Sequence, residues 1–444
     1  MHRAHDTGKT IANVYNKMHR STSIRINRVI GAFMKSTPVL LVLVTISCLS
    51  LLACSDSSSN GNKPSANPAI LDFEAYTWSD TSPGGYWAPR AGLQTVELNG
   101  RFYLLGGRTP NPPQGPNPIP GDSVIWSDVW ASDDQGVSWE NILTSGVDTH
   151  WSPRAYFKAV TLDDYIYVLG GQDFEVRPSG CPPFLPPETC PPLVSFSQFF
   201  NDVWRSKNGT DWTRMTDAAG WSPRAGLSAT VLNGEIYVLG GSVNDDTSIV
   251  GGPPLRVYFN DVWKSADGAQ WQQLTDNAPW TKRAGAELVT KGDYLYLLGG
   301  EEGFLCDPLP TCELPYFNDV WRSKNGADWE LVTPAAGWSA RPGHQCGVIG
   351  GTFICFGGFG LPENPVDVWT SEDGADWQLL TTPPWNARSG EDIKYDFDII
   401  VIDDADAGSA IYTFGGDRET FDFDDPLNYL RVDDDVWVFT NPNL

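Results

Sequence analysis

Histidine is nearly absent from this sequence: 5 residues in 444, three of them before residue 20. The remaining two, His150 and His344, stand in different contexts, too few for a tetrahedral His/Cys zinc site. No Gly-x-Ser-x-Gly elbow occurs to present a nucleophilic serine. Basic side chains are few as well, 30 Lys and Arg against 55 Asp and Glu, for a net charge of −25. A surface this acidic repels nucleic acid and anionic headgroups. The one long apolar run, Pro38 to Ala53, has 16 residues, too short to cross a bilayer comfortably. A spaced Asp-x-Asp-x-Asp-Gly loop is also missing. The acidic runs at Asp403, Asp404 and Asp406 and at Asp422, Asp424 and Asp425 therefore read first as solvated loops, with calcium the rival occupant. No other cofactor or metal is expected.

What is abundant is glycine (44), proline (34) and tryptophan (19). Many turns with many large aromatic anchors point to an all-β chain of short strands. The apolar run is separate from that fold. Lys35 precedes it and small residues close it, the layout of an export signal. Its end, Leu51-Leu52-Ala53-Cys54, resembles the lipobox of bacterial lipoproteins, which implies cleavage before Cys54 and lipidation of its thiol. Residues 1–53 are then leader and signal, with Met34 a possible true start. Residues 54–69 are the lipidated Cys and a polar tether, and 70–444 the folded domain. Removing residues 1–53 leaves 23 basic against 54 acidic side chains, a net of −31. Six cysteines then remain in three close pairs: Cys181 with Cys190, Cys306 with Cys312, and Cys346 with Cys355. The last two flank a two-residue Gly350-Gly351 turn, and counting outward places 346 opposite 355, close enough for a disulfide. Three disulfides suit an oxidising compartment.

Self-similarity dominates the rest. Gly-Gly recurs at 106/107, 170/171, 240/241, 299/300, 357/358 and 415/416. Asp-Val-Trp recurs at 128–130, 202–204, 261–263, 319–321, 367–369 and 435–437. A Trp-x-x-Arg entry recurs with Arg90, Arg154, Arg224, Arg283, Arg341 and Arg388. Six copies in this order resemble the kelch repeat, which implies an all-β, six-bladed β-propeller with four antiparallel strands (a to d) per blade. The last repeat lacks a Trp-led strand d, and Phe73 to Trp78 precedes the first entry where such a strand would sit. An N-terminal outer strand closing the last blade removes two exposed edges. The turn between strands c and d, Ser132-x-Asp134-x-Gly136-x-x-Trp139 in blade one, also matches the structural Asp-box turn of sialidases.

Antiparallel connectivity puts the long b–c loops and the d–a connectors on one face, where function concentrates in such scaffolds. Aromatics gather there: Trp126, Phe174, Phe184, Phe196, Tyr258, Phe304, Tyr316, Phe359, Phe421 and Tyr429. They suit a glycan or a protein partner, or they pack the loops onto the rim. Phe199, Phe259 and Phe317, beside Asn-Asp-Val-Trp, read as structural. The six repeated arginines form either a cationic ring for an anion or part of the framework, paired with the repeated Asp. Four positions after each, Gln94, Lys158, Ser228, Glu287, Gln345 and Asp392 are all polar and all different, and face the central channel as solvated lining or as ligand contacts. His344 is the one strand-a histidine.

Two histidines fall short of the ligand set of the kelch-like copper radical oxidases. The leading expectation is a non-catalytic binding module for a protein or glycan, monomeric and lipid-anchored in the bacterial cell envelope, its only membrane contact the lipid. The resemblance also implies an alternative, because bacterial six-bladed kelch propellers include sialic-acid mutarotases; Glu287 with Lys158 or the arginines would then supply the acid/base pair and the cation. A structural envelope lipoprotein is the third reading.

Overall fold

The computed structural model describes residues 71–82, 84–112, 122–146, 150–178, 193–244, 256–303, 315–360, 364–381, 393–404, 408–420, 425 and 427–443. Cys54, the tether, Cys181, Cys190, Cys306, Cys312, Phe184, Phe304, Phe421, Arg388 and Asp392 lie outside them.

Among the described residues are six four-stranded antiparallel sheets, the blades of a propeller. Blade three is representative, with strands Ser228–Leu232 (a), Glu235–Leu239 (b), Val262–Ser265 (c) and Gln272–Thr275 (d). Strand b is buried on both faces between neighbouring blades, which is why it reads as an unbroken run, Ile236-Tyr237-Val238-Leu239. After strand b, blades two and three continue into two-stranded ribbons on the loop face, Gln172–Pro178 with Leu193–Phe199 and Ser242–Asn244 with Arg256–Tyr258.

The Gly-Gly pair stitches each blade to the next. Gly241 donates its N–H to the carbonyl of Arg283 at 2.8 Å, and a Cβ on Gly240 would lie 2.8 Å from that same oxygen. Only glycine permits so close an approach. Tryptophans reinforce the joints. Trp151, Trp221, Trp280 and Trp338 are buried and meet the strand-d Trp212, Trp271, Trp329 and Trp377 edge to face at 5.9 Å. Among the described residues their indole N–H groups have no hydrogen-bond acceptor.

The Ser-x-Asp/Asn-Gly turns are self-contained: Ser132 Oγ accepts from the Gly136 N–H, and Asp134 accepts from that of Ser138, both at 2.8 Å. Cys346 and Cys355 are register partners across the Gly350-Gly351 turn, disulfide-bonded with their Cα atoms 4.2 Å apart.

Closure occurs in the last blade, whose sheet order places Thr77–Ser82 beside the C-terminal strand Val432–Thr440. The closing strand therefore starts later than the Phe73 to Trp78 expected. Asp72 caps a short 3-10 turn, Phe73–Ala75, by accepting from the Glu74 N–H. That turn sends Phe73 and Tyr76 into the apolar cluster around Phe439, and only then does the chain extend. Deleting residues 71–82 should lower the melting temperature by roughly 10 °C or more and produce edge-paired oligomers, visible on size exclusion.

Candidate functional site

The framework reading of the arginines holds in five blades. Arg90, Arg154, Arg224, Arg283 and Arg341 are at most 2% exposed. Each forms a two-pronged pair with the Asp of its blade's Asp-Val-Trp, as in Arg224 Nη1 and Nη2 to Asp261 at 2.5 and 2.9 Å. Each also donates to the first Gly-Gly carbonyl, and Arg224 stacks 3.8 Å over Phe259. Such fully committed guanidiniums are not available to an anion. Under Arg154 the stacked ring is Phe200; Phe199 instead pairs with Gln172 in the ribbon.

Blade six departs from the repeat. The carbonyl that receives the Gly358 N–H there belongs to Lys394, whose Nζ sits 2.5 Å from Asp435 and 3.1 Å from Asp433. Lys394, not Arg388, is thus the sixth framework cation, and Asp398, not Asp392, is the sixth channel residue. A constant Trp-x-x-Arg spacing misplaces both, because strand a of this blade begins later, at Asp398–Asp404.

Three of the channel residues are consumed by stitches between adjacent blades. Gln94 Oε1 accepts from the Ala159 N–H, Gln345 donates to the Phe397 carbonyl, and Ser228 donates to that of Ala286. Asp398 accepts from both the N–H and the hydroxyl of Thr95. Lys158 and Glu287 reach across the bore to each other, 3.2 Å apart. Burial lifts Glu287 to about 7 and Asp398 to about 6, against the opposing pull of Lys158. The bore beside them widens to a cavity of about 280 Å³. His344 is buried at the blade joint, 5.3 Å from Trp338, where other blades place Leu, Phe or Ala. Burial, with Arg341 and Lys158 nearby, pushes it down to about 3, so it packs as a neutral ring.

Two residues nearer the loop face, the chain closes the bore. Gly92, Tyr156, Gly226, Gly285, Gly343 and Asp396 each donate an N–H to the previous carbonyl, making a complete ring of six bonds of 2.8–3.1 Å. All six have positive φ, 50° to 64°. Four are glycine; Tyr156 and Asp396 hold the left-handed conformation at a cost in strain. Their side chains lie along the ring, since a Cβ on Gly92 would strike the Tyr156 ring at 3.0 Å and one on Gly343 the Asp396 carboxylate at 2.7 Å. Together the six backbones form the floor of a mouth on the loop face.

The wall around this floor comes from the residue after each Gly-Gly: Arg108, Gln172, Ser242, Glu301, Phe359 and Asp417. Arg108 donates through Nε to the Tyr156 hydroxyl at 2.5 Å and through Nη2 to Asp417 at 2.6 Å. Its Nη1 is unengaged among the described residues. Asp396 and Glu419 are half-buried near it, and half-buried Glu301 faces Asp396 from blade four. Burial, then Asp417, lifts Asp396 to about 7 against the pull of Arg108 and Lys158. Burial and Asp396 lift Glu301 to about 8 against the pull of Arg256, and burial and Asp417 lift Glu419 to about 7 against that of Arg108. Buried carboxyls raised toward neutrality are the kind of group that general acid/base chemistry uses.

Among the described residues no group of three His, Cys, Asp or Glu side chains is placed to hold a metal. Asp403, one of the calcium candidates, accepts from the Gly350 N–H and the Ser409 hydroxyl, and Asp406, Asp422 and Asp424 lie outside the described residues. Of the loop aromatics, Tyr258, Tyr316 and Phe359 are buried, Trp126 lies under Arg90, and Tyr429 donates to the Asn111 carbonyl. Phe174 and Phe196, on one ribbon, are half-buried.

Raised carboxyls have a stability consequence. A folded-state pKa above the unfolded value near 4 means that the native state holds protons the unfolded chain has released, so stability falls as pH rises through the folded value. His344 works in the opposite sense, but only below about 6.5, the unperturbed value. Between pH 6.5 and 8 the melting temperature should therefore fall, and Glu301→Gln should flatten the slope in thermal scans.

The Kelch motif family model matches residues 153–181. The solved structure of YjhT aligns with a TM-score of 0.53 at 18% identity, covering 76% of this chain and 93% of that one. This is a kelch-repeat propeller. Over 262 residues the kelch propeller is 24% identical to the N-acetylneuraminate epimerase of Escherichia coli O9:H4 (strain HS) and 25% identical to N-acetylneuraminate epimerase 2 of Escherichia coli O6:H1 (strain CFT073). Each match spans 51% of this chain and 64% of the relative.

The mouth was not foreseen. The signal was present in part: the residue after Gly-Gly breaks the six-fold pattern as openly as the strand-a position does, and Tyr156 interrupts a column of glycines, whereas the Trp-x-x-Arg spacing puts Gly390, not Asp396, in that column.

Proposed function

We propose that this kelch propeller interconverts the anomers of a carboxylated sugar on the floor of the loop-face mouth. The observation that carries the reading is that half-buried Asp396 and Glu301 face each other, both raised toward neutrality by burial, with Arg108 beside Asp396. Similarity to epimerases of N-acetylneuraminate supports that substrate class.

Ring opening needs one group to remove the proton of the anomeric hydroxyl and another to protonate the ring oxygen. Near pH 7 Asp396 is partly ionised and Glu301 largely protonated, so the two supply base and acid. On reclosure from the other face their roles reverse, and no net proton is lost. The free Nη1 of Arg108 anchors the substrate carboxylate, while Asp417 and Tyr156 hold the guanidinium in place.

The test is two-dimensional exchange NMR on N-acetylneuraminate. Cross-peaks between anomers that grow with protein concentration are expected. Binding without exchange, seen by saturation transfer, would assign the mouth instead to the non-catalytic role expected from sequence. Neither signal would remove the sugar acid from the account.

A further inference from the structure

Behind the amide ring the bore narrows to a void of about 60 Å³. Asp396 lines it from the ring, and Lys158 and Glu287 line it from the next level down. Lys158 is the one cation in this lining. The neighbouring polar side chains, Gln94 and Gln345, are spent on stitches between blades.

The placement follows from the strand. Lys158 stands two residues after the ring residue Tyr156, as Asp398 stands two after Asp396, so these side chains face the bore at successive depths. Lys158 then extends toward the axis to reach Glu287, a residue of blade four rather than of either neighbouring blade. Blade one and blade three could not supply this contact, since Gln94 and Ser228 fold back onto their own joints. An ammonium thus sits behind the floor on which a ligand would lie.

We propose that Lys158 is a positioning residue for the mouth: from the void behind the amide ring, its ammonium sets the charge state of Asp396 without touching the ligand. This rests on the mouth being the reactive site. The charged and titratable groups facing Asp396 are Asp417 and Tyr395 from blade six, Arg108 from blade one, Tyr156 and Lys158 from blade two, and Glu301 from blade four. Arg108 is already balanced by Asp417 at 2.6 Å. Lys158 shares its charge with Glu287, and with Asp398 beyond it. It is the counter-charge to Asp396 that a ligand on the floor would leave in place.

Removing a nearby cation raises a carboxyl pKa, so the sign is fixed. The protein is labelled with ¹³C at aspartate carboxyls, and the Asp396 signal is assigned as the one lost in Asp396→Asn. Titration from pH 5 to 9 should show its midpoint about one unit higher in Lys158→Gln than in the parent. Lys158→Arg, which keeps the charge, should restore the parent midpoint. Glu287→Gln should move it the other way, because the ammonium loses its competing partner. That variant also serves if Lys158→Gln does not fold. The pH–rate profile for anomer exchange should shift with the midpoint. An Asp396 midpoint unmoved by Lys158→Gln, or by Glu287→Gln where only that variant folds, overturns the proposal even if exchange is robust. A midpoint that moves as expected while no form shows exchange removes the sugar-acid reading and leaves the electrostatic one standing.

Discussion

Asp396→Asn should lower anomer exchange at least a hundredfold while the propeller stays folded. The size follows from what one general acid/base contributes, about 10²–10⁴ in rate. The intact fold follows from the backbone. Asn tolerates the left-handed conformation at least as well as Asp does, and Asp396 keeps its ring bond through its N–H, not its side chain. Asn also removes a carboxyl that burial opposes ionising, so the melting temperature above pH 7 should equal or exceed the parent's. Loss of rate without loss of stability is the signature of a catalytic group. Exchange within threefold of the parent would remove Asp396 from the chemistry.

Arg224→Ala should cost about 3–5 kcal/mol, because it leaves Asp261 partly buried without its counter-charge and frees the Gly240 carbonyl. Asp261→Ala should cost a similar amount. Replacing both, Arg224→Met with Asp261→Leu, should recover much of the loss, as it does when a buried pair is exchanged for apolar packing. Urea unfolding of the three variants reads this directly. An arginine held for a ligand would behave differently: its removal would spare stability and abolish binding.

The propeller was legible because each repeat carries its own joint. Gly-Gly, Asp-Val-Trp and the entry arginine are successive parts of one hydrogen-bonded unit, so six copies in register announce six blades. Closure was legible as a missing strand, yet its start was not, since Asp72 as a cap looks like any loop aspartate. Blade six misled because Lys394 does the work of arginine in an Ile-Lys-Tyr-Asp-Phe-Asp segment, while the Trp-x-x-Arg expected of it lies upstream.

The candidate site was half legible. Sequence placed Lys158 and Glu287 in the bore, and they do meet there. It could not show that the bore is closed by backbone amides, because ring closure depends on six residues far apart in the chain sharing one φ. Nor could it show that the residue after Gly-Gly leans over that ring. Both facts move attention from the bore to the mouth.

The most direct test of the mouth as the site is a crystal structure of the kelch propeller soaked with N-acetylneuraminate. The ligand should lie on the amide ring, its carboxylate within hydrogen-bonding distance of Arg108 and its anomeric carbon between Asp396 and Glu301. Density in the bore beside Lys158 and Glu287, or on the outer edge of a blade, with the mouth empty, would contradict it.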